Sequence, residues 1–195
     1  MLLSIDFKKE LYRPRIDAEL SGLIAHIFAK LDHERDASIA FEDGSQAPVL
    51  SPGDEAWCTF DERYRGEGEP PSGKALLRLA VNAATGYGSL TWMGTAPDGQ
   101  SSDLYDHIWV SDNPQPLDWD PRVVGDPYVP TFHDPRNALP IFQIRSAVDE
   151  YCSTEDGERP AEIRWAHGEF DGQRPGWGTS AFSEESAVTA RAESV

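Results

Sequence analysis

The sequence is poor in cysteine, in cations and in long apolar runs. Cys58 and Cys152 are its only cysteines, and they stand far apart. Such a pair forms no C-x-x-C redox motif, no zinc pair and no disulfide framework; two buried thiols in a reducing compartment are expected. Lysine and arginine number 17 against 34 acidic residues, a formal charge of −17 at pH 7. A surface so negative repels phosphate and anionic lipid, which argues against direct binding of nucleic acid or of a membrane. A cationic protein is the favoured partner, although the same charge also serves plain solubility. No stretch approaches the roughly 18 apolar residues of a membrane span. The opening Met1-Leu2-Leu3-Ser4-Ile5-Asp6-Phe7 has no basic leader and no small-residue cleavage site, so no signal peptide and a cytoplasmic location are expected.

Catalytic motifs are scarce as well. There is no G-x-S-x-G elbow, Walker A loop, H-E-x-x-H or EF-hand loop. Gly86-Tyr87-Gly88 lacks the third glycine and the following helix of a phosphate-binding loop, and turn glycines have a simpler reason to exist in their tolerance of positive φ. His167-Gly168-Glu169 matches H-x-E but has no P-C-x-x-C to complete a zinc site. Asp106-His107 and His133-Asp134 are neighbours in sequence, which does not aim their side chains at one another. The aspartates at 112, 118, 120, 126 and 134 lack regular ligand spacing and read as solvated loop carboxylates. No cofactor and no metal is expected.

What is present suits a globular domain. A chain of 195 residues with 39% hydrophobic content can bury a real core. One domain over 1–170 is expected, followed by a loosely ordered tail over 171–195, where periodicity fades into Gly, Ser, Ala and Glu. Leu3, Ile5 and Phe7 alternate with polar residues and predict a strand. Leu20, Leu23, Ile24, Ile27, Phe28 and Leu31 recur at helical spacing behind Asp17 and Glu19. Ser38–Phe41 and 55–64 are candidate strands, and 42–53 is expected to be loop. The runs 75–82 and 89–93, joined by Ala83-Ala84-Thr85-Gly86-Tyr87-Gly88, predict an antiparallel hairpin. A short strand is expected over 105–110. Pro114 to Pro135 must be mostly irregular, because proline blocks ladder and helix hydrogen bonds. Ile141, Ile144, Ala147, Val148 and Tyr151 make one face of a second helix, and 160–165 enters a last strand. The fold class is therefore α+β, a mainly antiparallel sheet with an N-terminal and a C-terminal helix packed on it. Trp92 and Trp165, on strands, are expected in the core.

Two blocks carry a resemblance. Leu77-Arg78-Leu79-Ala80-Val81-Asn82-Ala83-Ala84-Thr85-Gly86-Tyr87-Gly88-Ser89-Leu90-Thr91-Trp92 resembles the strand, Gly-x-Gly turn and Leu-x-Trp strand of an immunity-protein family of bacterial polymorphic toxin systems, the first-numbered of those families. Leu139-Pro140 through the helix to Arg159-Pro160-Ala161-Glu162-Ile163-Arg164-Trp165 is similar to that family's C-terminal unit. The loop 112–135 and the tail after Phe170 fall outside the resemblance. It implies a non-enzymatic antidote that binds a cognate toxin domain, often of the nucleic-acid deaminase fold. A toxin acting on nucleic acid tends to carry a basic substrate groove, which an acidic protein could fill by mimicking phosphate charge. Docking beside that groove fits equally. The candidate partner-binding residues are Trp109, Asp112, Asp118, Trp119, Asp120 and Tyr128, since loop aromatics carry interface energy and an acidic rim steers a basic partner. Two rivals remain: a metal-dependent enzyme using the loop aspartates with His107 or His133, and a non-catalytic adaptor. Nothing in the sequence sets an oligomeric state.

Overall fold

A computed structural model describes residues 2–15, 17–61, 63, 66, 69, 73, 75–94, 107–128, 131–154 and 156–175. In chain order the elements are β1 (Leu2–Phe7), β2 (Glu10–Tyr12), α1 (Asp17–Lys30), β3 (His33–Ala40), β4 (Gln46–Gly53), β5 (Glu55–Asp61), β6 (Ala75–Asn82), β7 (Tyr87–Gly94), β8 (Ile108–Asp112), β9 (Val124–Asp126), β10 (Thr131–Phe132), β11 (Leu139–Pro140), α2 (Ile141–Ser153) and β12 (Arg164–His167). The main sheet is antiparallel throughout, in the order β12-β8-β7-β6-β5-β1-β2. On one side of β7, β8 pairs with Thr91–Met93 and β11 with Tyr87 and Gly88. The chain is thus α+β, as expected, with α1 and α2 packed on the sheet.

The two faces of the sheet are built differently. Register aligns Cys58 with Leu77, and Leu79 with Leu90. These side chains share one face with Ile5, Phe7, Phe60 and Val81. They form a single core with Ile24, Ile27 and Leu31 around α1 and with Ile144, Ala147, Val148 and Tyr151 of α2. Cys58 and Cys152 lie free and buried in that core. The side-chain hydrogen bond that the Cys152 thiol donates toward Cys58, together with burial, pushes the Cys152 pKa well above its ordinary value.

The opposite face of β6 carries Leu76, Arg78, Ala80 and Asn82. It too is buried, so every residue of β6 is out of water. Its cover is the strap 113–128 and 131–138, irregular apart from the short β9–β10 pair, with Val123 and Val124 packed on Ala80. Polar side chains fasten the strap. Arg78 pairs with Glu55 and donates to the Gly125 carbonyl at 2.6 Å. Asn82 Nδ2 donates to the carbonyl of Pro121 at 2.9 Å. An irregular segment can lie on a sheet only if its carbonyls find donors, and these two residues supply them.

Some elements depart from what the sequence predicts. Residues 46–53 are strand, not loop, and β3 begins at His33 rather than Ser38; the two form a separate hairpin in which Pro48 sits opposite Ser38. Pro48, Pro52 and Ser51 disguise β4, and proline is tolerated there because a two-stranded hairpin has only edge strands. Strand β2 is too short to show a period, and it follows a turn in which Lys8 and Lys9 both take positive φ (51° and 67°). The strand expected over 105–110 is β8, shifted toward Asp112; Tyr105 lies outside the described residues. Of the expected tail, 176–195 also lies outside them. Residues 171–175 are described, and Gln173 and Arg174 are tied to the strap: Gln173 Nε2 donates to the Phe132 carbonyl at 2.6 Å, and Arg174 Nε to Asn137 Oδ1 at 2.7 Å.

Candidate interaction surface

The six residues picked out by sequence fall into three places. Trp109 lies half-buried on β8, directly opposite Trp92. The Arg159 guanidinium sits 4.0 Å from its ring, 5.8 Å from that of Trp92 and 5.9 Å from that of Trp165. His167 stacks on Trp109 at 3.9 Å. Trp92 Nε1 donates to the Gly157 carbonyl at 3.0 Å and Trp165 Nε1 to that of Pro160 at 2.7 Å. The three tryptophans therefore form a cage that clamps the loop between α2 and β12 around Arg159, whose pKa burial lowers. Asp112 is held between Arg174 at 2.9 Å and Arg164 at 3.2 Å. Trp109 and Asp112 thus make internal contacts.

Tyr128 is 90% exposed. It lines a groove of about 430 Å³ with Phe7, Lys8, Lys9, Asp54, Glu55 and Trp57. Charges in that groove are largely answered within the fold: Asp54 pairs with Lys8 at 3.1 Å, and Glu55 pairs with Arg78.

Asp118, Trp119 and Asp120 stand elsewhere, on the strap. Trp119 remains 44% exposed while Tyr87 braces it edge-on, with ring centroids 5.7 Å apart. Beside them runs a second groove of about 330 Å³, lined by Tyr87, Asn113, Pro114, Gln115, Leu117, Pro140 and Gln143. Phe142, next to Gln143 in the first turn of α2, is 71% exposed. Asp118 makes no ion pair or hydrogen bond among the described residues. Asp120 accepts from the Arg122 backbone N–H at 2.7 Å and pairs with no described cation.

The local sequence explains why this surface exists. Gly86, at φ +79°, makes the β6–β7 turn that few other residues would tolerate. At Gly88 a Cβ would lie 2.8 Å from the Ala80 carbonyl oxygen and 3.2 Å from Ile144 Cγ1, so its absence lets α2 close on the sheet. Between the two glycines Tyr87 is presented to the groove. Ile141 N–H donates to the Gly86 carbonyl at 3.0 Å, and Asn113 Nδ2 to that of Ala138 at 2.7 Å. The β6–β7 turn, the start of the strap and the start of α2 are thereby tied together. Sequence reasoning missed Tyr87 and Phe142. Phe142 did leave a signal: it is a large apolar residue off the apolar stripe of its own helix.

The histidine–aspartate neighbours take structural places. His133 is buried, and burial, aided by the Arg78 charge, lowers its pKa to about 3. Its Nδ1 lies 3.3 Å from Asn137 Nδ2. Burial pushes the Asp134 pKa up, but hydrogen bonds from Arg136 outweigh it and leave the carboxyl below its ordinary value. Asp106 lies outside the described residues. Among the described residues no three His, Cys, Asp or Glu side chains converge as metal donors, and no helix is long and apolar enough to cross a membrane.

Fold and surface together define a class: an α+β protein that exposes aromatic rings and, among the described residues, carboxylates without a cation partner. The family follows from comparison with known proteins. The family model described as Immunity protein Imm1 matches residues 16–167, and the chain belongs to that family. No curated protein and no solved structure matches it. Membership gives the chain an immunity-protein role.

Proposed function

We propose that this protein neutralises a cognate toxin of a bacterial polymorphic toxin system by tight stoichiometric binding in the cytoplasm, with no turnover of its own. The toxin is a basic domain acting on nucleic acid, such as one of the deaminase fold. Family membership over residues 16–167 is the observation that carries this function. The charge of −17 supports a cationic partner, and it disfavours nucleic acid or anionic membrane as direct ligands. Asp118, Trp119 and Asp120 are the contacts we assign, and Tyr128 is a separate exposed ring available to the same partner. Trp109 and Asp112 act from inside, by holding the ends of β8 and β12 in register.

Chemically, a toxin that grips a phosphodiester backbone needs lysine and arginine around its active site. Carboxylates at a matching spacing compete with phosphate for those cations, while aromatic rings supply the apolar contact that slows dissociation. Co-expression tests the proposal. A cell making the toxin domain encoded beside this chain's gene survives when this protein is present, and the two purify as a complex. Continued killing with no complex formed, or turnover of a small molecule by the purified protein, contradicts it.

A further inference from the structure

We infer that the groove of Tyr87, Leu117, Pro140 and Gln143 receives an arginine- or lysine-bearing loop of the toxin, with Asp118 and Asp120 as its counter-charges and the exposed rings of Trp119 and Phe142 as apolar contacts outside its lining. The inference rests on the immunity function proposed above and adds the place and the chemistry of the contact.

Exposed apolar side chains scattered singly over a surface need no explanation, but a pair bordering one groove does. Of the four large hydrophobic side chains exposed among the described residues, Trp119 and Phe142 both belong to this site: Trp119 rests on the lining residue Tyr87, and Phe142 is next to the lining residue Gln143. The charge distribution singles out the same place. Two neighbouring carboxylates are neutralised, Asp112 at the end of β8 by Arg164 and Arg174 and Asp134 on the strap by Arg136. Asp118 and Asp120 have no cation among the described residues. The Gln115 and Gln143 amides in the lining are also unpaired there, and they offer both donors and acceptors to a guanidinium or a peptide. Rigidity favours binding too. The strap is pinned through Asn82 to Pro121 and through Asn113 to Ala138, so little ordering remains to be done on association. A second copy of this chain is the poorer occupant, because a two-fold contact here would set Asp118 and Asp120 against themselves.

The test uses the toxin domain encoded beside this chain's gene, inactivated at its active site. Trp119→Ala and Phe142→Ser each weaken binding at least tenfold. The Asp118→Asn, Asp120→Asn pair slows association and flattens its dependence on salt. Phe41→Ser, at the exposed tip of the β3–β4 hairpin, leaves the affinity within twofold. Hydrogen exchange on the unmutated complex shows new protection at 113–120 and 141–143, a readout independent of how any variant folds. If the unmutated protein binds but neither the variants nor the protection pattern implicate this groove, the contact lies elsewhere and the immunity function stands. If it does not bind at all, both fall. Self-association in the ultracentrifuge that Trp119→Ala abolishes makes this a contact between copies and overturns the inference.

Discussion

At the scale of the residue, identical side chains have opposite employment. Trp109 and Trp119 both lie near aspartates and prolines, and nothing local distinguishes them. Register does: Trp109 pairs with Trp92 across two strands and closes on Arg159, whereas Trp119 lies on an irregular segment with one edge in water. Trp109→Ala is therefore expected to cost about 2–3 kcal/mol in urea unfolding, toward the low end for a large aromatic because the ring is only half-buried. Trp119→Ala should change stability by less than about 0.5 kcal/mol. His133 makes a second residue-scale prediction. Its folded pKa of about 3 lies below the ordinary value of 6.5. The unfolded chain therefore takes up the proton first, and its contribution to stability is complete above pH 6.5 and is lost as pH falls toward 3. Unfolding free energy should drop by about 1.4 kcal/mol per pH unit through that window from this group alone. Asp134, whose carboxyl is depressed, adds a further loss at lower pH, beginning as pH falls through the ordinary carboxylate range. In His133→Gln the slope between pH 6 and 4.5 should flatten by the histidine's share; an unchanged slope would mean that the ring is not held neutral.

At the scale of the element, the strap and the helix each depend on one unusual strand residue. Arg78 is buried with Glu55 beneath the strap and within reach of the Gly125 and Phe170 carbonyls. Arg78→Met leaves Glu55 unpaired and should cost about 3–5 kcal/mol, much of which Glu55→Gln in the same chain should restore. Gly88→Ala should cost about 1–3 kcal/mol, because the new methyl meets a backbone carbonyl and Ile144 on α2. Both are read by thermal or urea unfolding, and a cost near zero for Gly88→Ala would mean that α2 is not seated as described. The elements that were legible in sequence are those with a local signature. Helices α1 and α2 each turn one apolar stripe to the core and show it as a helical period, while β6 and β7, buried on both faces, show as two apolar runs on either side of a glycine-bearing turn. Strand β4 was not legible, because its prolines and serine satisfy an edge hairpin rather than a core. The strap was legible only as irregular chain; that it covers a sheet face is written in Arg78 and Asn82 on another strand, and no local pattern announces such a debt across sequence.

At the scale of the whole molecule, the proposed contact divides between net charge, which would draw a cationic partner in, and the groove, which would hold it. The net −17 acts over a Debye length, roughly 8–10 Å at ordinary salt, and speeds encounter with any cationic body. Placement needs short-range chemistry. The two sequence blocks that resemble the family meet at that point, since Tyr87 of the first pairs with Pro140 of the second. The site was thus partly legible: Asp118, Trp119 and Asp120 could be named from loop composition, but Tyr87 and Phe142 join them only through strand pairing. The central claim is that protection comes from one-to-one occupancy of a cationic toxin. Titrating a fixed amount of the toxin domain encoded beside this chain's gene with this protein, and reading residual toxin activity, tests it most directly. Activity should fall linearly and vanish at one equivalent. Inactivation by a small fraction of an equivalent would reveal an enzyme, and activity untouched at large excess would deny the antidote altogether.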